Sequence, residues 1–181
     1  MTYVDPALNL IYAANPATKT MRTPWSAPPY MKSPAVIAGG TSTTLYFQNT
    51  AANLAAFAQY HVKDQQDFYS KHGRYSDFAS VSNEPNFNPV TYPGMQMNPS
   101  DMLAAGVAIR AAFDAVNIPT VLVAGDVSWD STIPRSGGPF SYTTLPFVQG
   151  SKAFGGAGYH MYGGPASQML EMAAYARAGS A

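Results

Sequence analysis

The chain has 181 residues, and only 11% of them are charged, against about 25% in an ordinary soluble domain. Ten lysines and arginines balance ten aspartates and glutamates, and this net charge of zero argues against a protein that binds nucleic acid through phosphate contacts. The absence of cysteine excludes disulfides, thiolate metal sites and a cysteine nucleophile.

The sequence also lacks the patterns of a membrane span, a zinc-binding histidine pair and a signal peptide. No apolar run approaches the roughly 20 residues of a membrane-spanning helix, so no span is expected. The histidines, His61, His72 and His160, lack the close helical spacing of a zinc-binding pair, so no metal site is expected. The stretch 1–6 lacks the basic and apolar regions of a signal peptide, which leaves either a cytoplasmic protein or a missing N-terminus.

The chain begins with a short helix and a strand. A helix is predicted over 5–15, because Asp5 is a good N-cap and Pro6 suits the first helical position. A short strand at 18–23 follows. The loop after it, 24–32, contains three prolines and is predicted to lack regular structure.

Two long amphipathic helices are predicted in the middle of the chain. Apolar residues recur at three- and four-residue steps between about 50 and 72, and Gly73 is a typical C-cap. His61 lies on the apolar face and is expected in the core. A second helix is expected from 98 to 117, after a short segment at 78–82.

The last third contains the clearest strand. Residues 119–126 are apolar on both faces, as is typical of a parallel strand buried between helices. The stretch 140–147 is ambiguous, 156–161 is predicted as a final strand, and 166–178 as an amphipathic helix.

This alternation predicts an α/β fold with parallel strands, one helix followed by four βα units. The units average about 45 residues, whereas a closed (β/α)8 barrel takes roughly 250 in all. The chain is therefore either part of such a barrel or a small open sheet.

Polar or aromatic residues follow each predicted strand, at Trp25, Asn83, Asp126 and His160. Function is expected there, because α/β proteins bind ligands at the carboxyl ends of parallel strands. The many aromatic residues, 13% of the chain, suit a site that packs ring faces against uncharged, hydroxylated ligands such as sugars.

Glu84 is the first candidate for catalysis. Pro85 disfavours helix at Glu84 and helps to hold its carboxyl at the rim of the sheet. Desolvation among aromatic residues would favour the protonated carboxyl that a general acid needs. Asn83 would then bind a substrate hydroxyl, although Asn-Glu-Pro is also consistent with a simple turn.

Three motifs carry a resemblance to glycoside hydrolase family 30. Residues 23–32, Thr-Pro-Trp-Ser-Ala-Pro-Pro-Tyr-Met-Lys, resemble its Ser-Pro-Trp-Ser-Pro-Pro-x-Trp-Met-Lys loop after the third strand. Residues 82–85, Ser-Asn-Glu-Pro, resemble its Gln-Asn-Glu-Pro motif after the fourth strand, and 159–163, Tyr-His-Met-Tyr-Gly, resemble its His-Leu-Tyr-Gly element after the sixth. The sequence departs from these patterns at Thr23, Ala27, Tyr30 and Ser82.

The resemblance implies that residues 1–181 are an incomplete catalytic domain, the third to sixth units of a (β/α)8 TIM barrel. It implies retaining hydrolysis of β-glycosidic bonds in an oligosaccharide, polysaccharide or glycoside, by a secreted protein that needs no metal or organic cofactor.

The same resemblance assigns roles to individual residues. Glu84 would be the general acid/base, Asn83 would bind the sugar 2-hydroxyl, and Trp25 would form a wall of that subsite. Tyr162 would border the catalytic centre, with His160 beside it. Separately from the resemblance, Trp129 is a candidate sugar platform, although it is also consistent with an aromatic that closes a loop.

The nucleophile of the family, a second glutamate after the seventh strand, has no match here. A retaining mechanism needs two carboxyls about 5–5.5 Å apart. Glu171 is predicted as a solvated helix residue, and Asp126 is consistent with either a substrate contact or a structural loop role. A fragment truncated before the nucleophile, and inactive alone, is therefore expected. The alternatives are a non-catalytic carbohydrate-binding half-barrel and a small open-sheet protein unrelated to sugars.

Overall fold

The computed structural model describes residues 4–38, 44–89, 91–128, 142–143, 145–146, 151–161, 167 and 170. Its α-helices are α1 (Val4–Ala14), α2 (Ala51–His72) and α3 (Pro99–Ala115). Its strands are β1 (Met21–Arg22), β2 (Lys32–Ser33), β3 (Tyr46–Phe47), β4 (Phe78–Ser80), β5 (Val121–Ser128) and β6 (Gly156–His160). Among these described residues, none of the helices has the length and apolar character that crossing a bilayer needs.

Four strands form one sheet in the order β1-β4-β5-β6, and every neighbouring pair is parallel. Helix α2 lies in the chain between β1 and β4, and α3 lies between β4 and β5, so each connects two adjacent parallel strands. The prediction of an α/β fold with parallel strands is confirmed. All four strands present their carboxyl ends at the same edge of the sheet.

The bounds of α2 and α3 follow from their capping residues. The Thr50 side chain accepts a hydrogen bond from the third residue of α2, and Gly73 ends the helix at φ 68°, in the left-handed region that glycine tolerates. Asn98 caps α3 in the same way, and Pro99 occupies its first turn. These helices agree with the sequence prediction to within about two residues.

The hydrophobic core includes buried side chains of the sheet and of the two long helices. Phe57 of α2, Phe113 of α3 and Leu122 of β5 belong to the same buried cluster. His61 is only 4% exposed, which confirms its expected place in the core.

The predicted loop at 24–32 is wrong in part. Pro29–Met31 form a turn of 3₁₀ helix, and β2 pairs antiparallel with β3. The prolines precede β2 and do not interrupt it, so both of its residues keep their backbone N–H groups.

Two strand boundaries also differ from the prediction. Strand β1 has only two residues, and β5 continues two residues beyond Asp126. The predicted helix at 166–178 and the ambiguous stretch at 140–147 lie largely outside the described residues.

Candidate active site

A hydrogen-bonded network joins the carboxyl ends of the four parallel strands. Thr23 directly follows β1, Ser80 ends β4, Asp126 lies in β5 and His160 ends β6. Thr23 Oγ1 donates to Asp126 Oδ2 at 2.7 Å, and Ser80 Oγ donates to the same oxygen at 2.6 Å. The Asp126 carboxylate of β5 therefore connects β5 to β4 and to the residue that follows β1.

His160 links Asp126 to Glu84. Its Nε2 lies 3.1 Å from Asp126 Oδ1, and its Nδ1 lies 3.0 Å from Glu84 Oε1. All three side chains are largely buried, with exposed fractions of 7% for Asp126, 15% for Glu84 and 17% for His160. A neutral imidazole donates from one nitrogen and a charged one from both. His160 therefore either carries a positive charge between two carboxylates or shares one proton with Glu84.

The backbone at this network is unusual. Glu84 has φ 43° and Asp126 has φ 59°, both in the left-handed region that residues with a side chain rarely adopt. The pairing of β5 with β6 shifts register between Gly125 and Val127, and such irregularities redirect side chains. Gly125 is required there, because its φ is 86° and an added Cβ would lie 2.6 Å from Thr143 Cγ2.

A narrow cleft beside Glu84, too tight in this structure to hold a water molecule, has an aromatic wall. It is lined by Trp25, Asn83, Glu84, Phe87, Pro89, Tyr92, Pro93 and Gly94. The Trp25 ring is 50% exposed and packs edge-on against Tyr92, with 5.4 Å between the ring centroids. The Asn83 backbone N–H donates to the Pro24 carbonyl at 2.8 Å, which fixes the two loops relative to each other. An exposed ring next to a carboxyl is suited to stack against a sugar.

A buried lysine also joins the loops that form the cleft. Lys32 is 0% exposed, and its Nζ donates to Ser26 Oγ at 2.6 Å, Ile37 O at 2.9 Å and Gly94 O at 3.1 Å. Burial lowers the pKa of Lys32 to about 8. Sequence reasoning missed this role, because a lysine next to a proline-rich loop carries no signal of burial.

A larger cavity, about 370 Å³, lies beside β1 and α2. Its lining includes Arg22 and Asp64, which form an ion pair with each other. Both oxygens of Asp64 accept hydrogen bonds from Arg22, so this carboxylate is already committed to a contact within the protein. The cleft at Glu84 is therefore the better candidate for catalysis.

The structure brings together four residues singled out from the sequence. Trp25, Asn83 and Glu84 line the cleft, and His160 contacts Glu84. Tyr162, Trp129 and Glu171 lie outside the described residues. The functional roles of all these residues stay predictions.

For Asp126 the sequence left a substrate contact and a structural role open, and the contacts in the structure are those of a structural role. Asp126 is buried and holds Thr23, Ser80 and His160, so it is committed to protein contacts. The hydroxyls of Thr23 and Ser80 had no signal in the sequence apart from their position at strand ends. Within the described part of the chain, no three acidic or histidine side chains form a group suited to a metal ion.

Comparisons of the sequence find similar endo-1,6-β-D-glucanases. No family model matches the chain. An endo-1,6-β-D-glucanase of Trichoderma harzianum is 41% identical over 80 residues, which are 41% of this chain and 16% of that protein. An endo-1,6-β-D-glucanase of Aspergillus fumigatus is 34% identical over 102 residues, 52% of this chain and 21% of that protein.

Solved structures with the same fold include glycoside hydrolases. An endo-β1,6-glucanase superposes with a TM-score of 0.79 at 22% identity, over 96% of this chain and 38% of its own. A family 30 subfamily 8 xylanase from Clostridium acetobutylicum has a TM-score of 0.65 at 16% identity, over 94% of this chain and 41% of its own. The resemblance to glycoside hydrolase family 30 is confirmed.

This likeness to family 30 covers only part of the related proteins. The chain spans about a fifth or less of the length of the two curated relatives and about two fifths of the two solved enzymes. A conserved exported protein from Bacteroides fragilis also superposes, with a TM-score of 0.68 at 18% identity, over 92% of this chain and 38% of its own.

Proposed function

We propose that the protein takes part in retaining hydrolysis of β-glycosidic bonds, with Glu84 as the general acid/base. One observation carries the proposal. The Glu84 carboxyl lies between the imidazole of His160 and a cleft walled by the exposed Trp25 ring, at the carboxyl edge of a parallel sheet. A proton donor next to a sugar-stacking surface is what cleavage of a glycosidic bond requires.

The chemistry has two steps. In the first, Glu84 gives its proton to the glycosidic oxygen while the bond from C1 to that oxygen breaks and a second carboxylate bonds to C1. In the second, the Glu84 carboxylate takes a proton from water as that water attacks C1 and releases the second carboxylate. Trp25 would stack on the sugar, and Asn83 would bind its 2-hydroxyl.

Asp126 is not suited to be the second carboxylate. One of its oxygens accepts bonds from Thr23 and Ser80, and the other lies against His160. Attack on C1 would break these contacts, which hold three strand ends together. We therefore place the attacking carboxylate outside the described residues, as the resemblance to family 30 implies.

The substrate we propose is a β-1,6-linked glucan. This choice rests on the two curated relatives and one solved structure that are described as endo-β-1,6-glucanases. Such a polymer is too large to enter a cell, so a secreted protein is part of the proposal. The exported protein of the same fold is consistent with it.

The proposal is tested by measuring reducing ends released from β-1,6-glucan, β-1,3-glucan and xylan by a protein that contains residues 1–181 together with the remaining units of the barrel, and by its Glu84→Gln variant. The matched control is Asp114→Asn, since Asp114 is 67% exposed on α3 and also pairs with a cation. We expect β-1,6-glucan to be the preferred polymer, and we expect hydrolysis to be lost in Glu84→Gln and kept in Asp114→Asn.

Two outcomes would contradict the proposal. Hydrolysis that survives Glu84→Gln would show that another group supplies the proton. Binding of the glucan without hydrolysis attributable to Glu84 would instead favour a non-catalytic carbohydrate-binding protein.

A further inference from the structure

Three side chains lie within hydrogen-bond distance of the Asp126 carboxylate. Thr23 and Ser80 donate hydroxyl hydrogens to its Oδ2, and the Nε2 of His160 lies 3.1 Å from its Oδ1. An ionised carboxylate can only accept hydrogen bonds. The hydrogen between Asp126 and His160 therefore lies on Nε2.

With hydrogen on Nε2, the charge of the His160 ring determines whether Nδ1 also carries hydrogen. When the imidazole is charged, Nδ1 also carries hydrogen and donates it to Glu84 Oε1, 3.0 Å away; when the imidazole is neutral, Nδ1 presents a lone pair to that oxygen. A lone pair opposite a carboxyl oxygen requires one proton between them. Glu84 and His160 consequently hold that proton as a pair.

We propose that Asp126 is a positioning residue that acts on Glu84 through His160: it holds the imidazole as its Nε2–H tautomer, so that Nδ1 faces the Glu84 carboxyl. This inference rests on the proposed role of Glu84 as the acid. The opposite tautomer would place N–H at Nδ1, and a donor at that position stabilises the ionised carboxylate, which has no proton to give. Asp126 thus keeps Glu84 able to act as an acid.

The charged and titratable groups that contact His160 in the described residues are Glu84, which follows β4, and Asp126 of β5. The groups that contact Asp126 from β4 and from the loop after β1 are hydroxyls, which stay neutral. Among the described residues, the two carboxyls are therefore the charged groups that bias the tautomer of His160.

The test is ¹⁵N NMR of the histidine side chains, recorded at increasing pH until each ring carries a single hydrogen, because the ¹⁵N shift tells a protonated ring nitrogen from an unprotonated one. The His160 signals are assigned with His160→Gln. In the unmodified protein we expect hydrogen on Nε2 of His160 and none on Nδ1. In Asp126→Asn the amide can donate to Nε2, and we expect the tautomer to reverse.

The controls distinguish a failure of this inference from a failure of the proposed function. His72, whose Nδ1 lies 2.7 Å from Asn9 Oδ1, should keep its tautomer in Asp126→Asn, and Asp114→Asn should leave His160 unchanged. Hydrogen on Nδ1 of neutral His160 in the unmodified protein would overturn the inference, and this result needs no variant to fold. If the tautomer is as expected but hydrolysis survives Glu84→Gln, the proposed function fails and the tautomer assignment stands.

Discussion

The backbone N–H of Glu84 donates to the carbonyl oxygen of Asp126 at 2.9 Å, and both residues have positive φ, 43° and 59°. For a residue with a Cβ this conformation costs on the order of 1 kcal/mol. The two strained residues are therefore bonded to each other through the backbone and bridged by His160 through their side chains. Such strain is typical of functional sites, where the surrounding structure holds it in place.

The strain at Glu84 predicts that glycine is preferred there over alanine. Glu84→Gly is expected to have a free energy of unfolding about 1 kcal/mol higher than Glu84→Ala, because glycine adopts positive φ without steric cost. Urea unfolding measures the difference. At the exposed Lys63 of α2 the alanine variant should instead be the more stable of the two, because alanine favours helix over glycine. An alanine variant that is more stable than the glycine variant at both positions would contradict the strain at Glu84.

Trp25 is expected to contribute to binding more than to stability. Trp25→Ala should weaken binding of a β-1,6-linked glucose oligosaccharide about tenfold, since an aromatic contact of about 1.4 kcal/mol is worth a factor of ten. Calorimetric titration measures this in parallel with Tyr69→Ala, which removes a ring that is 48% exposed on α2. Equal losses in the two variants would show that Trp25 does not contact the sugar.

Lys32 should make stability depend on pH in the alkaline range. Burial lowers its pKa to about 8 from 10.5, so between these values the unfolded chain binds more protons at Lys32 than the folded chain does. The free energy of unfolding is therefore expected to rise with pH across this interval, by about 1–3 kcal/mol relative to Lys32→Met. Urea unfolding of both proteins at the two ends of the interval measures it, and parallel pH dependences would contradict the assignment.

His61 should weaken the fold in acid. Burial lowers its pKa to about 4 from 6.5, and its Nε2 is buried without a hydrogen-bond partner among the described residues. Below pH 6.5 the unfolded chain takes up a proton that folded His61 excludes, so stability falls progressively towards pH 4, by about 3 kcal/mol over the interval. His61→Met, which cannot titrate, should lack this part of the acid destabilisation. A variant as acid-sensitive as the unmodified protein would exclude His61 as its source.

The long helices and the parallel sheet follow from local sequence, whereas the short antiparallel pair does not. Helix α2 has a regular apolar pattern and a glycine that can end it, so its bounds are encoded within its own residues. Strands β2 and β3 have two residues each, too few for any alternation to be visible, and their pairing is a tertiary contact.

The candidate site likewise includes residues that the sequence identifies and residues that it does not. Glu84 and Trp25 were found because they belong to short contiguous motifs. The role of Asp126 depends on a register shift between β5 and β6 and on hydroxyls from two other parts of the chain. Contacts between residues so distant in sequence have no pattern along the chain. Lys32 was missed for the same reason, because its burial requires the Gly94 loop.

Whether Glu84 gives a proton to the leaving group is decided by the kcat/KM of Glu84→Gln on two β-glycosides of the same sugar. One has a dinitrophenolate leaving group, which departs without being protonated. The other has an alkoxide leaving group, which must receive a proton as it departs. We expect Glu84→Gln to lower kcat/KM for the alkyl glycoside by about 10²–10⁴-fold and to leave that for the dinitrophenyl glycoside nearly unchanged. Equal losses on the two substrates, or no loss on either, would contradict the assignment of Glu84 as the general acid.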